Sequence, residues 1–236
     1  MIFFNILFAC VFFVGNDAAL PNVGSCTFME YYCSARKCST AFFKTLQKYP
    51  KANCGAELSN LKNCMVDTLK VCSEGALTES QIRGIIDKSV KEEQQCMDGS
   101  IEIPTMPPAV SICSSSFSSE ADTCVRSFHQ KFAKDKSDPT LCSENAEAKR
   151  CVRNLIDSDC NFPSQAKEII DLGLSDYNPF CADNRDPGST GNDQCYGVQD
   201  KSGDALKYFN AAAGIKPGVL HTLLFVFFLS LFLFKA

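Results

Sequence analysis

Fifteen cysteines in a chain of 236 residues constrain the fold of this protein more than any other feature of its sequence. Cys10 lies in an apolar run at the amino terminus, and the other fourteen lie between Cys26 and Cys195. An even number of cysteines at this density is typical of secreted proteins, in which they pair as disulfides. We therefore expect seven disulfides and no free catalytic thiol.

The cysteine spacing predicts an internal duplication. Two sets of six cysteines follow each other with closely matching gaps, Cys26, Cys38, Cys54, Cys64, Cys72 and Cys96 in the first half and Cys113, Cys124, Cys142, Cys151, Cys160 and Cys181 in the second. Cys33 and Cys195 are left over. We expect one module over residues 20–98, a Pro-rich linker over 99–111 and a second module over 112–182.

Hydrophobic periodicity predicts that each module contains three helices. In the first, Tyr31, Ala35, Cys38, Phe42 and Leu46 recur at spacings of three and four, and Pro50 ends the helix. Runs of alternating β-branched residues are absent from the sequence. The predicted fold class is therefore all-α, with two tandem disulfide-stapled three-helix modules that are packed on or tethered to each other.

The other helices follow from similar signals. Leu58, Leu61, Met65 and Leu69 form the apolar stripe of the second helix, and Ile82, Ile85, Ile86 and Val90 are expected to be buried by the third. Thr78 and Gln81 form a capping box that begins the third helix. The helices of the second module are expected to begin near Ser119, Ser143 and Ser164, with each serine as an N-cap.

Helix hairpins then predict the disulfide partners. Residues that lie level in an antiparallel hairpin have positions that add up to a constant set by the turn, and Cys38 with Cys64 and Cys54 with Cys96 nearly meet this condition. The same rule gives Cys124–Cys151, Cys142–Cys181 and Cys113–Cys160 in the second module, and Cys26–Cys72 completes the first. Cys33 and Cys195 then pair with each other. The rival arrangement, Cys33–Cys72 with Cys26–Cys195, remains open.

Both ends of the chain are predicted to be processed. Residues 1–19 are predicted to be a secretory signal peptide, because a short apolar run precedes small and polar residues. At the other end, an apolar run from Val219 to Phe234 is short for a membrane span. Small residues and a spacer precede it, which predicts a glycosylphosphatidylinositol (GPI) anchor on Asn210 and removal of residues 211–236. Attachment at Ser202, Gly203 or Asp204 and an unprocessed single-pass tail are the alternatives.

Residues 183–210 are predicted to be a polar stalk that leads to the anchor. The stretch "CADNRDPGSTGNDQC" is rich in Asp, Asn and Gly. It resembles a calcium loop only loosely, because Arg185 interrupts the alternation of oxygen ligands. A solvated stalk is the interpretation that we prefer.

No residue pattern predicts catalysis, a metal site or a cofactor. His129 is the only histidine before the carboxyl-terminal apolar run, and a solitary histidine on a helix is usually structural. Cys-x-x-Cys pairs and the common nucleophile and phosphate-binding motifs are absent from the sequence. The net charge of −4 offers nothing basic to nucleic acid. We expect a protein that is not an enzyme.

Two functions remain, and both are extracellular. The first is a non-catalytic binding module on the cell surface, anchored in the outer membrane leaflet through GPI, with an unknown extracellular protein as its partner. The second is a carrier of a small apolar ligand. In plan, tandem disulfide-rich helical modules on a lipid anchor resemble the co-receptors of the glial growth-factor family, whose modules carry more cysteines. That resemblance implies the binding function.

Overall fold

A computed structural model describes residue 20, residues 22–96 and residues 112–212 of the chain. The predicted signal peptide, the linker and the apolar tail lie outside these residues. Within them the protein is helical and contains no β-strand, only isolated bridges such as that between Cys113 and Cys160. The same part of the chain contains no helix that is long and apolar enough to cross a membrane. The all-α prediction is confirmed.

The first half contains three long helices and one short one. Helix α1 spans Phe28–Lys48 and begins with a capping box between Thr27 and Glu30, and α2 spans Cys54–Ser73. Helix α3 spans Glu79–Ser89, and its predicted capping box of Thr78 and Gln81 is present. Helix α4 is a single turn, Glu92–Gln95.

The second half begins with a hairpin of α5, Phe117–Lys134, and α6, Leu141–Asp159. Helix α7 follows over Ser164–Gly173. After a long segment without α-helix, a 3₁₀ turn over Gly203–Leu206 leads into α8, Lys207–Ala212.

The predicted serine N-caps of the second half are wrong. The N-caps of α5 and α6 are Ser116 and Thr140, three residues earlier than predicted, and the hydroxyls of Ser119 and Ser143 donate hydrogen bonds back to the carbonyls of these two residues. Ser164 is the first residue of α7, after Pro163. The Ser119 and Ser143 hydroxyls satisfy carbonyl groups at the start of their own helices, and none of the three helices has a side-chain N-cap hydrogen bond.

Seven disulfides staple the described residues: Cys26–Cys72, Cys33–Cys195, Cys38–Cys64, Cys54–Cys96, Cys113–Cys160, Cys124–Cys151 and Cys142–Cys181. Five of these pairs are the ones that the hairpin rule gives, and Cys26–Cys72 and Cys33–Cys195 join the cysteines that remain; disulfide bonding is confirmed. Of the two arrangements left open for Cys26 and Cys33, the structure has the one that joins Cys33 to Cys195.

The main hydrophobic core draws on both halves of the chain. Phe42, Phe43 and Leu46 of α1 pack with residues of α2 and α3, and also with Phe128 and Phe132 of α5. Two smaller clusters lie beside this core: Tyr32 and Cys33 with Leu172, and Ile156 with Ile170 and Leu174.

Helix α3 buries less than the sequence predicts. Ile82, Ile86 and Val90 are buried, but Ile85 is 44% exposed and this prediction is wrong. Ile85 lies at the side of the stripe formed by Ile82 and Ile86. Because α3 packs mainly against α2, only that narrow stripe is covered.

The prediction that residues 183–210 form a free stalk is also wrong. Within residues 183–210, Ala205 and Phe209 lie in the main core, and Cys195 is bonded to α1. Acidic residues of the segment pair with cations of α1, as Asp193 does with Arg36. Part of the polar composition therefore serves these pairings, while many residues between 183 and 200 are exposed to solvent.

Candidate functional site

The candidate site is built where the carboxyl-terminal half of the chain docks on α1. We call residues 175–202 the docked segment. Six polar side chains of α1 form hydrogen bonds to the docked segment: Ser34, Arg36, Lys37, Thr40, Lys44 and Gln47. The apolar stripe of the same helix packs on α2, so α1 has partners on both sides.

Arg36 is the centre of this contact. Its side chain is only 8% exposed, and one guanidinium nitrogen lies 2.6 Å from both carboxylate oxygens of Asp193. The same guanidinium lies 4.4 Å from the centre of the Tyr177 ring, in cation–π geometry. Partial burial raises the pKa of Asp193, but hydrogen bonds from Arg36 and from the Cys195 amide outweigh it and hold the pKa below its usual value.

Tyr177 of the docked segment contacts Thr40 of α1 as well as Arg36. Its hydroxyl shares a hydrogen bond with that of Thr40, one turn after Arg36 on α1. Burial raises the pKa of Tyr177, so the phenol is neutral at physiological pH. The ring is therefore held by a cation on one face and by a hydroxyl at its tip.

Lys37 and Ser34 hold the far end of the docked segment. Lys37 pairs with Asp200 at 2.6 Å, and the Lys201 amide donates to the Ser34 hydroxyl at 2.7 Å. Partial burial raises the pKa of Asp200, but bonds from Lys37 and from Ser202 outweigh it, and the pKa is about 2. Asp200 is thus ionised throughout the physiological range.

A buried lysine stabilises the near end. Lys149 of α6 is 5% exposed and donates to the carbonyls of Ser175 and Tyr177, each at 2.7 Å. It also pairs with Asp186 at 2.8 Å. Burial lowers the pKa of Lys149, although the Asp186 carboxylate opposes this. Two carbonyls and a carboxylate satisfy the three protons of the ammonium group.

Asn178 completes the buried network. Its side chain is fully buried and donates to the carbonyl of Cys142 at 2.9 Å and to Asp186 at 2.8 Å. Its own carbonyl accepts from the Phe180 amide at 3.1 Å. The loop conformation is therefore fixed from inside by side chains, as expected where a satisfied polar network replaces apolar packing.

Two disulfides close the docked segment. Cys181 is bonded to Cys142 at the start of α6, and Cys195 is bonded to Cys33 in the first turns of α1. Between them the backbone turns through Asn184 and Gly188, both with positive φ. The segment is thus held covalently at two points to two different helices.

The docked segment presents an aromatic side chain to solvent. Tyr196 is 83% exposed, directly after the Cys195 bond, and Gly197 follows with a φ of +77°. Its amide donates to the Asp193 carbonyl at 2.8 Å, so the backbone is anchored on both sides, and an exposed tyrosine is the kind of residue that dominates protein interfaces. Nearby in the sequence, the Asn184 side-chain carbonyl and Arg185 Nε are buried without a hydrogen-bond partner among the described residues.

His129 lies apart from this network. Its ring is close to that of Phe128, with centres 5.8 Å apart, and Nε2 has no hydrogen-bond partner in the part of the chain described. Burial lowers the pKa of His129 to about 4, so the imidazole is neutral. The structure brings no serine or cysteine nucleophile into hydrogen-bond contact with it among the described residues.

A small pocket lies between α2 and α3. Its volume is about 150 Å³, and it is lined mainly by polar residues, among them Lys62, Asn63, Arg83 and Asp87. Lys62 pairs with Asp87, and Arg83 bonds to Glu79 and Asn63. Sites for drug-sized ligands are larger, roughly 300–1,000 Å³, and mostly apolar. Among the described residues no cluster of three or more His, Cys, Asp or Glu side chains is arranged to hold a metal ion.

The predicted attachment residues fall at the end of the described chain. Asn210 lies in α8, and its side chain is outside the described set. Ser202 of the alternative site is 2% exposed, and its amide and hydroxyl both donate to Asp200. The two candidates thus have different surroundings.

Sequence reasoning missed Arg36, Lys149, Tyr177 and Asp193 as a set. One signal was present: Cys33 and Cys38 are five residues apart, which places them about 140° apart on a helix. Two bonded cysteines on different sides of α1 require partners on both sides. The predicted Cys33–Cys195 bond brings the stretch around Cys195 to one of these sides, but the pairing of Arg36 with Asp193 and Tyr177 follows only from the three-dimensional structure.

Comparison of the chain with protein-family models, with curated proteins and with solved structures gives no match.

Proposed function

We propose that this protein is a GPI-anchored extracellular protein that binds a protein partner without catalysis, through the surface of the docked segment around Tyr196. Seven disulfides support an oxidising compartment outside the cytosol. The sequence pattern at the carboxyl terminus supports the anchor. An outer-leaflet anchor has no cytoplasmic part, so a signal would need a membrane-spanning partner.

The duplicated organisation belongs to the same proposal. Corresponding disulfides close loops of similar length in the two halves, with sequence separations of 46 and 47, 26 and 27, and 42 and 39 residues. This agreement supports two related modules, over residues 20–98 and 112–182. The main core and Cys33–Cys195 support their packing into one body.

The exposure of Tyr196 on a fixed loop is the observation that carries the binding function. A loop restrained by Cys195, Asp193 and Asp200 loses little conformational entropy when a partner binds. A carrier of a small apolar ligand has less support, because Phe43, Phe128 and other aromatic rings fill the core.

Binding is tested with protein released by phosphatidylinositol-specific phospholipase, labelled and titrated on intact cells of the tissue that expresses it. We expect saturable binding that Tyr196→Ala weakens about 30-fold, as for a tyrosine hot spot. Tyr49→Ala, in the turn between α1 and α2 and 44% exposed, is the matched control and should bind like wild type. Equal affinity of wild type and Tyr196→Ala would contradict the proposal.

The anchor is tested by the release itself. Phospholipase treatment of expressing cells should release the intact protein into the medium. Retention on the cells, with a peptide from residues 219–234 detected in the mature chain by mass spectrometry, would show a membrane-embedded tail instead.

A further inference from the structure

The structure distinguishes between the two candidate sites of lipid attachment. The inference rests on the proposed anchor. The sequence places the attachment on Asn210 but leaves Ser202 to Asp204 open, because neither spacer has the usual length of about 8–12 residues: six residues separate Ala212 from Val219, and fourteen separate Asp204 from Val219. The structure separates the two sites by showing whether the residues between them are part of the hydrophobic core.

The residues between the two sites belong to the core. Ala205 is 2% exposed and Phe209 is 8% exposed, and both lie in the cluster that contains Phe42 and Leu61. Leu206 and Tyr208 are partly buried against the same cluster. The 3₁₀ turn and α8 contact both α1 and α2. A buried phenylalanine is among the side chains whose loss destabilises a protein most.

Polar contacts hold the same residues. The Tyr208 hydroxyl donates to Asp67 of α2 at 2.9 Å, and Lys207 pairs with the same carboxylate at 3.4 Å. Burial raises the pKa of Tyr208, so the phenol is a proton donor at physiological pH. Ser202 is itself buried and bonded to Asp200, which is not the setting of an accessible cleavage site.

We infer that the lipid is attached to Asn210 and that residues 203–209 remain as a folded part of the mature protein. In this transamidation the peptide bond between Asn210 and Ala211 breaks. The Asn210 carbonyl carbon forms an amide with the amine of the phosphoethanolamine on the glycolipid. The Ala211 nitrogen takes up a proton and leaves with residues 211–236.

Attachment at Ser202, Gly203 or Asp204 would instead remove Ala205 and Phe209. The apolar surface of α1 and α2 that they cover would then be exposed to solvent. Phe209 is the last side chain that the structure places in the core, and Asn210 follows it directly. The anchor therefore leaves the folded body from α8, without a stalk, and holds the α2 side of the protein near the membrane.

The test is peptide mapping of the mature protein from expressing cells, both the fraction that phospholipase releases and any fraction that stays on the cells. Trypsin cleaves after Lys201 and Lys207, so attachment at Asn210 yields an unmodified peptide of residues 202–207 and a glycan-bearing peptide of residues 208–210. A glycan-bearing peptide that begins at Ser202 and ends by Asp204 would overturn the attachment site and leave the anchor proposal intact. A mature chain that retains residues 219–234 would overturn both.

A pair of variants gives an independent readout. Asn210→Gln combined with Ala212→Gln replaces the short residues that the attachment reaction requires, and should lower phospholipase-releasable surface protein about tenfold or more. Asp204→Gln is the matched control, because Asp204 is exposed, and should leave that amount unchanged. The reverse result would overturn the inference.

Discussion

One guanidinium nitrogen of Arg36 lies 2.6 Å from both carboxylate oxygens of Asp193, although 157 residues separate them in the sequence. Arg36 is on the first helix and Asp193 is on the docked segment. The contact joins residues that sequence analysis assigned to a helical module and to a free stalk. It therefore defines where the carboxyl-terminal half of the chain is held.

Arg36→Ala should lower the free energy of unfolding by about 2 kcal/mol, because it leaves Asp193 partly buried without its cation and removes the contact with Tyr177. The measurement is urea denaturation with the disulfides intact. Lys62→Ala is the control: its pair with Asp87 is exposed, and we expect a loss below about 1 kcal/mol. Equal losses in the two variants would contradict a special role of Arg36.

Replacing both Cys33 and Cys195 by serine should cost about 2–4 kcal/mol and release the docked segment locally. Amide hydrogen exchange measured by mass spectrometry should increase first in residues 193–202. The control is the double variant Cys124→Ser, Cys151→Ser, which destabilises the α5–α6 hairpin without freeing that segment. Unchanged exchange over residues 193–202 in the first variant would show that noncovalent contacts suffice.

Stability should fall in acid as the carboxylates of the docked segment are protonated. The pKa values of Asp193 and Asp200 are lowered in the folded protein, to about 2 for Asp200. The pKa of aspartate in an unfolded chain is about 3.9. The two carboxylates therefore contribute fully to the free energy of unfolding above about pH 4, and this contribution is lost as the pH falls through about 2.

The measurement for this pH dependence is the melting temperature between pH 2 and pH 6, for wild type and Asp200→Asn. Other carboxyls also have lowered pKa values, among them Asp138 and Glu144, so the difference between the two curves is the informative quantity. That difference should shrink as the pH falls below about 4. Parallel curves over the whole range would refute a role of Asp200.

Phe180→Ala should destabilise the protein by about 3–5 kcal/mol, the usual cost of truncating a buried phenylalanine. The Phe180 ring lies 5.0 Å from those of Phe43 and Phe128 and 5.7 Å from that of Phe132, measured between centres. Tyr49→Ala, at a half-exposed position, should change stability by less than about 0.5 kcal/mol. A small loss for Phe180→Ala in urea denaturation would show that the two halves fold independently.

Local patterns predicted the helices of the first half well. The stripe of Phe42 and Leu46, and the capping box of Thr78 and Gln81, depend on residues within a turn or two of each other. Burial was predicted less well at the edges of an apolar stripe, as Ile85 of α3 shows, because the exposure of such a residue depends on how much of the helix the neighbouring helices cover. The serine N-caps failed because a hydroxyl can satisfy a carbonyl of its own turn just as well.

The sequence by itself determined the helical class and five of the seven disulfides, because hairpin geometry relates cysteine positions to one another through short turns. The structure decided between the two arrangements of Cys26, Cys33, Cys72 and Cys195. Only the tertiary structure decided the fate of residues 183–210. Asp193 and Asp200 have the composition of a polar stalk, and although the predicted Cys33–Cys195 bond points to α1, no local pattern identifies their partners there or those of Phe209 in the core. Those partners lie on α1 and α2, well over a hundred residues away. Such long-range contacts have no local periodicity, so they become visible only once the chain is folded.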